Sequence, residues 1–514
     1  MFLANKQGIH QMKIRQYGAL SLAMLVGACG LQQNPATGDR MLSLMSEQQE
    51  FAMGRDVAKK SVTEFGGQYK GKPELTSYIR DRVARIAAVG ERSDKPFEAE
   101  LLDDPIMNAF AVPGYVMVSR GILPFFQNEA EMVFVLGHEV GHVTGKHHVR
   151  SHSRQLLTTG AMLIASYALA EQTDSSDLAR GAMTAASFAI PFGMAHFSRA
   201  QELEADTLGV RYMSKLGYPA FESSDVFRMF DAYGKLNESI MASAGETGSK
   251  SMFHRALASH PDDMTRINQA ASSAGVNPRA SNHQDRYLKM IDGLSFGPKL
   301  EEGVVSKHRY LSPEYGVRFD IPRQFLVNGM DGMPLAVDPY KKAVLDVKVF
   351  EKITTNTDIK AAMLEVLPHA KGVKVVKNTP LQVAIAEGVA SGNKVHYVAA
   401  LGKHNKTGKA ALVVAMVRNG QASADKSIMA AANMMANSMR KLTPGQSKLI
   451  KSQHIGIRTV RSGESVKSLS KELPFDVYQE EWFRLLNGLH KGEGVRAGQK
   501  VKMVVDPNAK LRVL

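Results

Sequence analysis

A chain of 514 residues is too long for one ordinary hydrophobic core and suggests about three domains. Hydrophobic residues at 44% and charged residues at 22% suit a folded globular protein, while 43 glycines and 20 prolines without tracts, and no repeat of fixed period, exclude low-complexity and solenoid chains. The net charge of +14 favours an anionic surface, and without a compact basic run or basic-aromatic motif the chain offers no nucleic-acid footprint, so a membrane surface is the better reading.

The first element is a leader. Lys6, Lys13 and Arg15 precede an apolar stretch from Ala19 to Val26 that is short for a bilayer span, followed by Gly27, Ala28 and the single cysteine of the chain, Cys29. The ending Leu25-Val26-Gly27-Ala28-Cys29 resembles a bacterial lipoprotein cleavage site, which implies removal of residues 1–28 and lipidation of Cys29. In that class Gly30 after the cysteine implies sorting to the outer membrane. The alternative is a transmembrane anchor holding a buried cysteine. Because the leader has three cations and no acid, processing brings the net charge near +11, and without a second cysteine the rest of the chain forms no internal disulfide.

Residues 29–45 are polar and turn-rich and read as a tether. A helix is expected from Ser46 over SEQQEFAMGRDVAKKSVTEF, since Ser46 and Gln49 form a capping box. A second is expected over KPELTSYIRDRVARIAAVG, where Leu75, Ile79, Val83 and Ile86 recur at helical intervals. Around Pro113-Gly114, Val112, Tyr115, Val116 and Val118 predict a strand or short hairpin. It either offers its edge to an extended peptide or is an ordinary sheet strand.

The run NEAEMVFVLGHEVGHVTGKHHVR follows. On a helix His138 and His142 share one face and can grip a single metal ion, with Glu139 beside them. A catalytic zinc takes three protein ligands and a water, and a carboxylate alongside removes that water's proton. A surface helix with two solvated histidines is the bland alternative. Two apolar stretches of about fifteen residues, LLTTGAMLIASYALA and GAMTAASFAIPFGMA, then predict helices covering the site or dipping into a membrane surface, with a helical hairpin in the bilayer as the alternative. In SRAQELEADTLGVRYMSKLGY, Glu202 and Asp206 lie on one helix face: Glu202 can complete a His-His-Glu zinc site and Asp206 can hold a ligand histidine's second nitrogen, unless the face is simply acidic and solvated. ALASHPDDMTRI places His260 before Pro261 at a helix start.

Taken in order, HEVGH, SRAQELEAD and SHPDDMTRI resemble the metallopeptidase family of the type I CAAX prenyl protease and the heat-shock membrane protease, in its secreted bacterial subgroup acting on outer-membrane assembly. NPATGDRMLSLMSEQQEFAMG and NAFAVPGYVMVSRGIL fit that subgroup, and the resemblance covers residues 34 to 275. It implies a zincin-like, mainly α protease domain over 46–290 with a small edge sheet, one zinc ion on His138, His142 and Glu202, Glu139 as general base, and Asp206 behind the ligands. His260 is implied as an inhibitory fourth ligand or a transition-state donor. His147 matches a family position with no assignable chemistry, and Tyr115 departs from the family's second glycine.

Beyond it, residues 303–442 read as an α+β domain of unknown role, with strands GVRFDI, AVLDVKVF, VHYVAALG and AALVVAMV and helices DIKAAMLEVL and DKSIMAAANMMANSMRKL. Residues 455–506 read strand, helix, helix, strand and resemble a LysM-type module, which implies glycan binding; Trp482 is expected in its core. The whole describes a multidomain periplasmic lipoprotein on the outer membrane that hydrolyses misfolded or stalled outer-membrane proteins as envelope quality control. The rival is a chaperone-like or peptidoglycan-binding lipoprotein with a self-inhibited metal site.

Overall fold

The computed structural model describes residues 31–158, 197–243, 280–328, 335–351, 353–354, 358–390, 393–419 and 425–511. The leader with Cys29, nearly all of the two apolar stretches, and His260 lie outside the described residues. Among those described, no helix is long and apolar enough to cross a membrane.

The stretch read as a tether folds. Strands β1 (Leu31–Gln33) and β2 (Arg40–Leu42) pair antiparallel into a hairpin. Helix α1 (Glu47–Glu64) starts where Ser46 and Gln49 close the expected capping box, and α2 (Pro73–Val89) buries Leu75, Ile79, Val83 and Ile86. A three-stranded sheet follows: β3 (Glu98–Leu102) runs parallel to β5 (Tyr115–Ser119), which pairs antiparallel with β4 (Ala109–Val112) across the Pro113-Gly114 turn. Gly114 sits at φ 86°, a conformation that favours glycine.

Helix α3 (Glu129–Thr144) is buried along its entire length. Neighbours cover it on several sides: α2, β4, α4 (Arg199–Lys215) and α5 (Glu222–Ser243). Helix α6 (Gln284–Ile291) and strand β6 (Ser295–Phe296) close this region.

The middle of the chain is mostly antiparallel sheet. β7 (Val304–Ser306), β8 (Arg309–Ser312) and β9 (Val317–Asp320) form a small sheet. β10 (Leu326–Val327), β11 (Ala336–Asp338), β12 (Ala343–Phe350), β13 (Lys371–Val375), β14 (Val383–Ala390), β15 (Asn393–Lys403) and β16 (Ala410–Asn419) form a seven-stranded one in the order β10-β11-β12-β16-β15-β14-β13. Alternation on its strands sends residues to opposite faces. Val413 and Val398 meet α8 (Asp425–Ser438), while Leu412, Val414 and Ala399 meet α7 (Ile359–Val366), which lies between β12 and β13 in the chain. The closing helix is shorter than expected. It stops at Ser438, and β17 (Arg440–Lys441) pairs with β9.

After α9 (Pro444–Leu449), the chain follows the expected order of β18 (Gln453–Thr459), α10 (Val466–Ser470), α11 (Gln479–Leu486) and β19 (Lys500–Val505), with β18 and β19 antiparallel. This module continues the core of the helical region. β18 also pairs with β6, and Trp482, only 1% exposed, packs among Phe125, Phe296 and Phe475. One apolar cluster runs from Leu75 through Phe134 and Leu208 to Val504. The molecule is thus a multidomain assembly of mixed helices and sheets in which the helical region carries the metal-binding motif.

Candidate metal centre

Helix α3 begins at Asn128, whose side chain accepts from the Glu131 N–H. Glu129 and Glu131 in the first turn suit the positive end of the helix dipole. Glu129 accepts from the hydroxyls of Tyr78 and Tyr218, and Arg286 Nε donates to its Oε2 at 2.6 Å. Burial pushes its pKa up, but Arg286, Tyr218 and Tyr78 outweigh burial and hold the carboxyl below the usual 4.5. At the other end, buried Arg92 donates to the Val143 carbonyl at 3.1 Å and to Glu50 Oε1 at 2.6 Å.

Small residues set the approach of α3 to α4. A Cβ on Gly137 would lie 3.2 Å from the Cα of Gly209, and one on Gly209 would lie 3.1 Å from the His138 nitrogen. The backbones therefore meet without intervening side chains, which brings Glu202 to the histidines. His138 and His142 Nε2 are 2.9 Å apart, and they lie 3.6 and 3.5 Å from the Glu202 carboxylate oxygens. All three side chains are buried. Glu139, buried at 3% exposure, follows His138 and precedes His142 by three residues, which sets it beside the pair.

These donors fit a zinc ion. Two imidazole nitrogens and a carboxylate are its usual protein ligands, and donors about 2.0–2.1 Å from one tetrahedral ion lie about 3.3 Å from each other. The observed separations of 2.9 to 3.6 Å bracket that value. The tautomer agrees as well. Asp206 Oδ1 lies 2.9 Å from His138 Nδ1, so the carboxylate draws the proton to Nδ1 and leaves the Nε2 lone pair facing the centre. The His142 ring stacks on Phe197 with centroids 4.1 Å apart, which covers one side of the centre with an apolar surface.

The sequence reading brought together His138, Glu139, His142, Glu202 and Asp206, and the structure gathers them at one place. It singled out His147 without a role and did not find Glu204 behind it. His147 Nδ1 is 2.8 Å from His142 Nδ1, and its Nε2 is 3.4 Å from Glu204 Oε2. Burial lowers the His147 pKa, with Glu204 opposing. Glu204 is held down to about 2: burial pushes it up, but His147, Asn34 and Arg150 outweigh burial. The available signal was a third histidine five residues after HEVGH and a second acid, Glu204, two residues after Glu202.

Residues 73–274 match the profile of Peptidase family M48. Among similar proteins, the mitochondrial metalloendopeptidase OMA1 of Schizosaccharomyces pombe is 29% identical over 43% of this chain and 64% of its own length. The putative beta-barrel assembly-enhancing protease of Vibrio cholerae is 32% identical over 31% of this chain and 34% of its own. The beta-barrel assembly-enhancing protease of Yersinia pestis is 26% identical over 55% and 58%. The chain therefore spans between about a third and two thirds of these relatives.

Proposed function

From a chain whose residues 73–274 form a Peptidase family M48 domain, we infer a zinc-dependent endopeptidase. His138, His142 and Glu202 are its metal ligands and Glu139 its general base. The convergence of two imidazoles and one carboxylate in a buried site carries this reading. The chemistry such an ion supplies, when bound, is polarisation of the scissile carbonyl and acidification of a water. Glu139 takes a proton from the attacking water and delivers it to the leaving amine. Asp206 keeps the His138 proton on Nδ1. Strand β4, an outer strand of the three-stranded sheet packed against α3, offers main-chain groups to an extended substrate. Tyr115, half-buried at the start of β5, flanks that hairpin.

The finer proposal is a periplasmic enzyme anchored to the outer membrane through lipidated Cys29 and acting on stalled or misfolded outer-membrane proteins. The leader supports it, as do relatives named beta-barrel assembly-enhancing proteases. In the same reading His260 gates the metal, and residues 455–506 form a LysM-like module that holds peptidoglycan.

Purified full-length chain is incubated with an unfolded outer-membrane protein, alone and as Glu139→Gln. The variant keeps its zinc and loses cleavage by about 10²–10⁴-fold. Undiminished cleavage by Glu139→Gln would sink the mechanism. If the parent binds zinc yet neither it nor His260→Ala cuts any protein, the binding-protein reading replaces this one.

A further inference from the structure

The two histidines that converge with Glu202 are supported differently. His138 meets its carboxylate directly, through Asp206 at 2.9 Å. His142 has an imidazole on its Nδ1 side. That nitrogen faces His147 Nδ1 at 2.8 Å, and behind His147 stands Glu204, 3.4 Å from Nε2.

Helix geometry explains the detour. Glu202 and Asp206, four apart on α4, share a face, while Glu204 lies two residues from each and projects from the other side. It cannot reach His142 directly. His147, the first residue of the helical stretch that follows the turn after α3, spans the gap and is wholly buried at 0% exposure. Glu204 is itself fixed on both oxygens. Asn34 Nδ2, from the hairpin before α1, donates to Oε1 at 2.6 Å, and Arg150 Nη1 donates to Oε2 at 3.0 Å. Asn34 is 3% exposed, so this bond lies inside the structure. The space for the assembly is set by Gly145, where a Cβ would lie 2.6 Å from His147 Nε2 and 2.9 Å from Glu204 Oε1.

We propose that His147 and Glu204, locked by Asn34 and Arg150, are positioning residues that orient His142 and hold the proton on its Nδ1, leaving Nε2 to bind the metal. With Nδ1 accepting from His142, the His147 proton sits on Nε2, on the side where Glu204 Oε2 lies 3.4 Å away in a charge contact outside hydrogen-bond geometry. The two ligand histidines thus end on two different carboxylates of one helix, one directly and one through an intervening imidazole. Partners of this kind turn a ligand ring to face its metal and raise its basicity. The hairpin that follows the lipidation-site region thereby becomes part of the metal centre's support.

This rests on the zinc reading above, and the test separates the two. Apparent zinc affinity of the full-length chain is measured by competition with a chromophoric chelator, and thermal melting of the metal-free chain is measured alongside. His147→Leu keeps most of the volume but no acceptor, and it weakens zinc binding by about 10–100-fold. His147→Gln can accept from His142 and donate to Glu204, and it recovers part of that loss. Glu204→Gln, which removes the charge, and Gly145→Ala, whose Cβ crowds the contact between His147 and Glu204, both keep the His147 side chain and each weaken binding by about 10-fold, so the test stands even if the leucine variant fails to fold. A role in packing alone lowers the metal-free melting temperature and leaves zinc affinity at the parent's value in all four variants. That result overturns the proposal while sparing the zinc reading. A parent chain that binds no zinc overturns both.

Discussion

The helix pair α3–α4 and the seven-stranded sheet are both closed to water at their centres, yet they bury different chemistry. Against the metal-binding motif the buried side chains include His138, Glu139, His142, His147, Gln201, Glu202 and Asp206. In the sheet the interior is Val398, Leu412, Val413, Val414 and their like, and His396 at its margin is bonded to Asp425 at 2.7 Å. The pairs meet differently as well: helix backbones touch across Gly137 and Gly209, whereas strands and helices of the sheet domain meet through branched and small apolar side chains. Each buried polar group left without a partner costs about 1–3 kcal/mol, so a dense set of them persists only where it is fully networked. The helix pair meets much of that demand through contacts such as Asp206 with His138, His147 with His142 and Arg150 with Glu204, and the sheet has a mostly apolar core. The first region is built for chemistry and the second for shape.

That contrast yields substitutions whose effects should part along it. Leu412→Ala in the sheet should cost about 2–5 kcal/mol in chemical denaturation, with one zinc per chain retained. Loss of zinc would mean that the two regions are coupled. Gly209→Val should cost about 3 kcal/mol, because the added carbons enter the backbone contact with His138 and Phe134. Here zinc binding should fail as well, since Glu202 is pushed from the histidines. A variant that folds and binds zinc normally would contradict the close-approach argument.

Glu129→Gln tests the polar network at the start of α3 and should cost about 2 kcal/mol at pH 7. Its folded pKa is depressed below 4.5. The stability it contributes is therefore present above the unfolded value and is lost as pH falls below it. Urea midpoints of the parent should drop between pH 5 and pH 3 more steeply than those of the variant; parallel curves would remove Glu129 from the account. The smallest effect, about 1 kcal/mol, is expected for Asp476→Asn. That change alters the carboxylate whose Oδ2 lies 2.9 Å from His308 Nε2 and accepts from the Val327 N–H, linking the sheet region to the C-terminal module, and the melting temperature reads it.

Legibility in the sequence follows the same division. Local rules placed the start of α1, because Ser46-Gln49 is a capping box complete within four residues; Ser198-Gln201 closes the same kind of box at the start of α4, a signal the sequence reading passed over. The clustering of these side chains was legible because both pairs, His138 with His142 and Glu202 with Asp206, obey the four-residue helical spacing. What escaped depends on contacts across the chain. The hairpin at Leu31–Leu42 is too short and polar to show a strand pattern, and Asn34 gains its place only by meeting Glu204, 170 residues away. Strands β13 and β14 were missed because KGVKV is charged and exposed and VAIAEGVA is rich in small residues. The end of α8 was overrun because the pairing of Arg440 and Lys441 with β9 overrides a sequence that would continue as helix. Continuity of the C-terminal module with the helical core rests on Trp482 meeting Phe125, which no local pattern encodes.

Metal analysis of the purified full-length chain, run beside Glu202→Gln, tests the central claim most directly. One zinc ion per chain in the parent, with zinc largely lost and cleavage of an unfolded outer-membrane protein abolished in the variant, is the predicted result. Equal zinc content and equal cleavage in the two proteins would contradict the assignment of the centre to His138, His142 and Glu202.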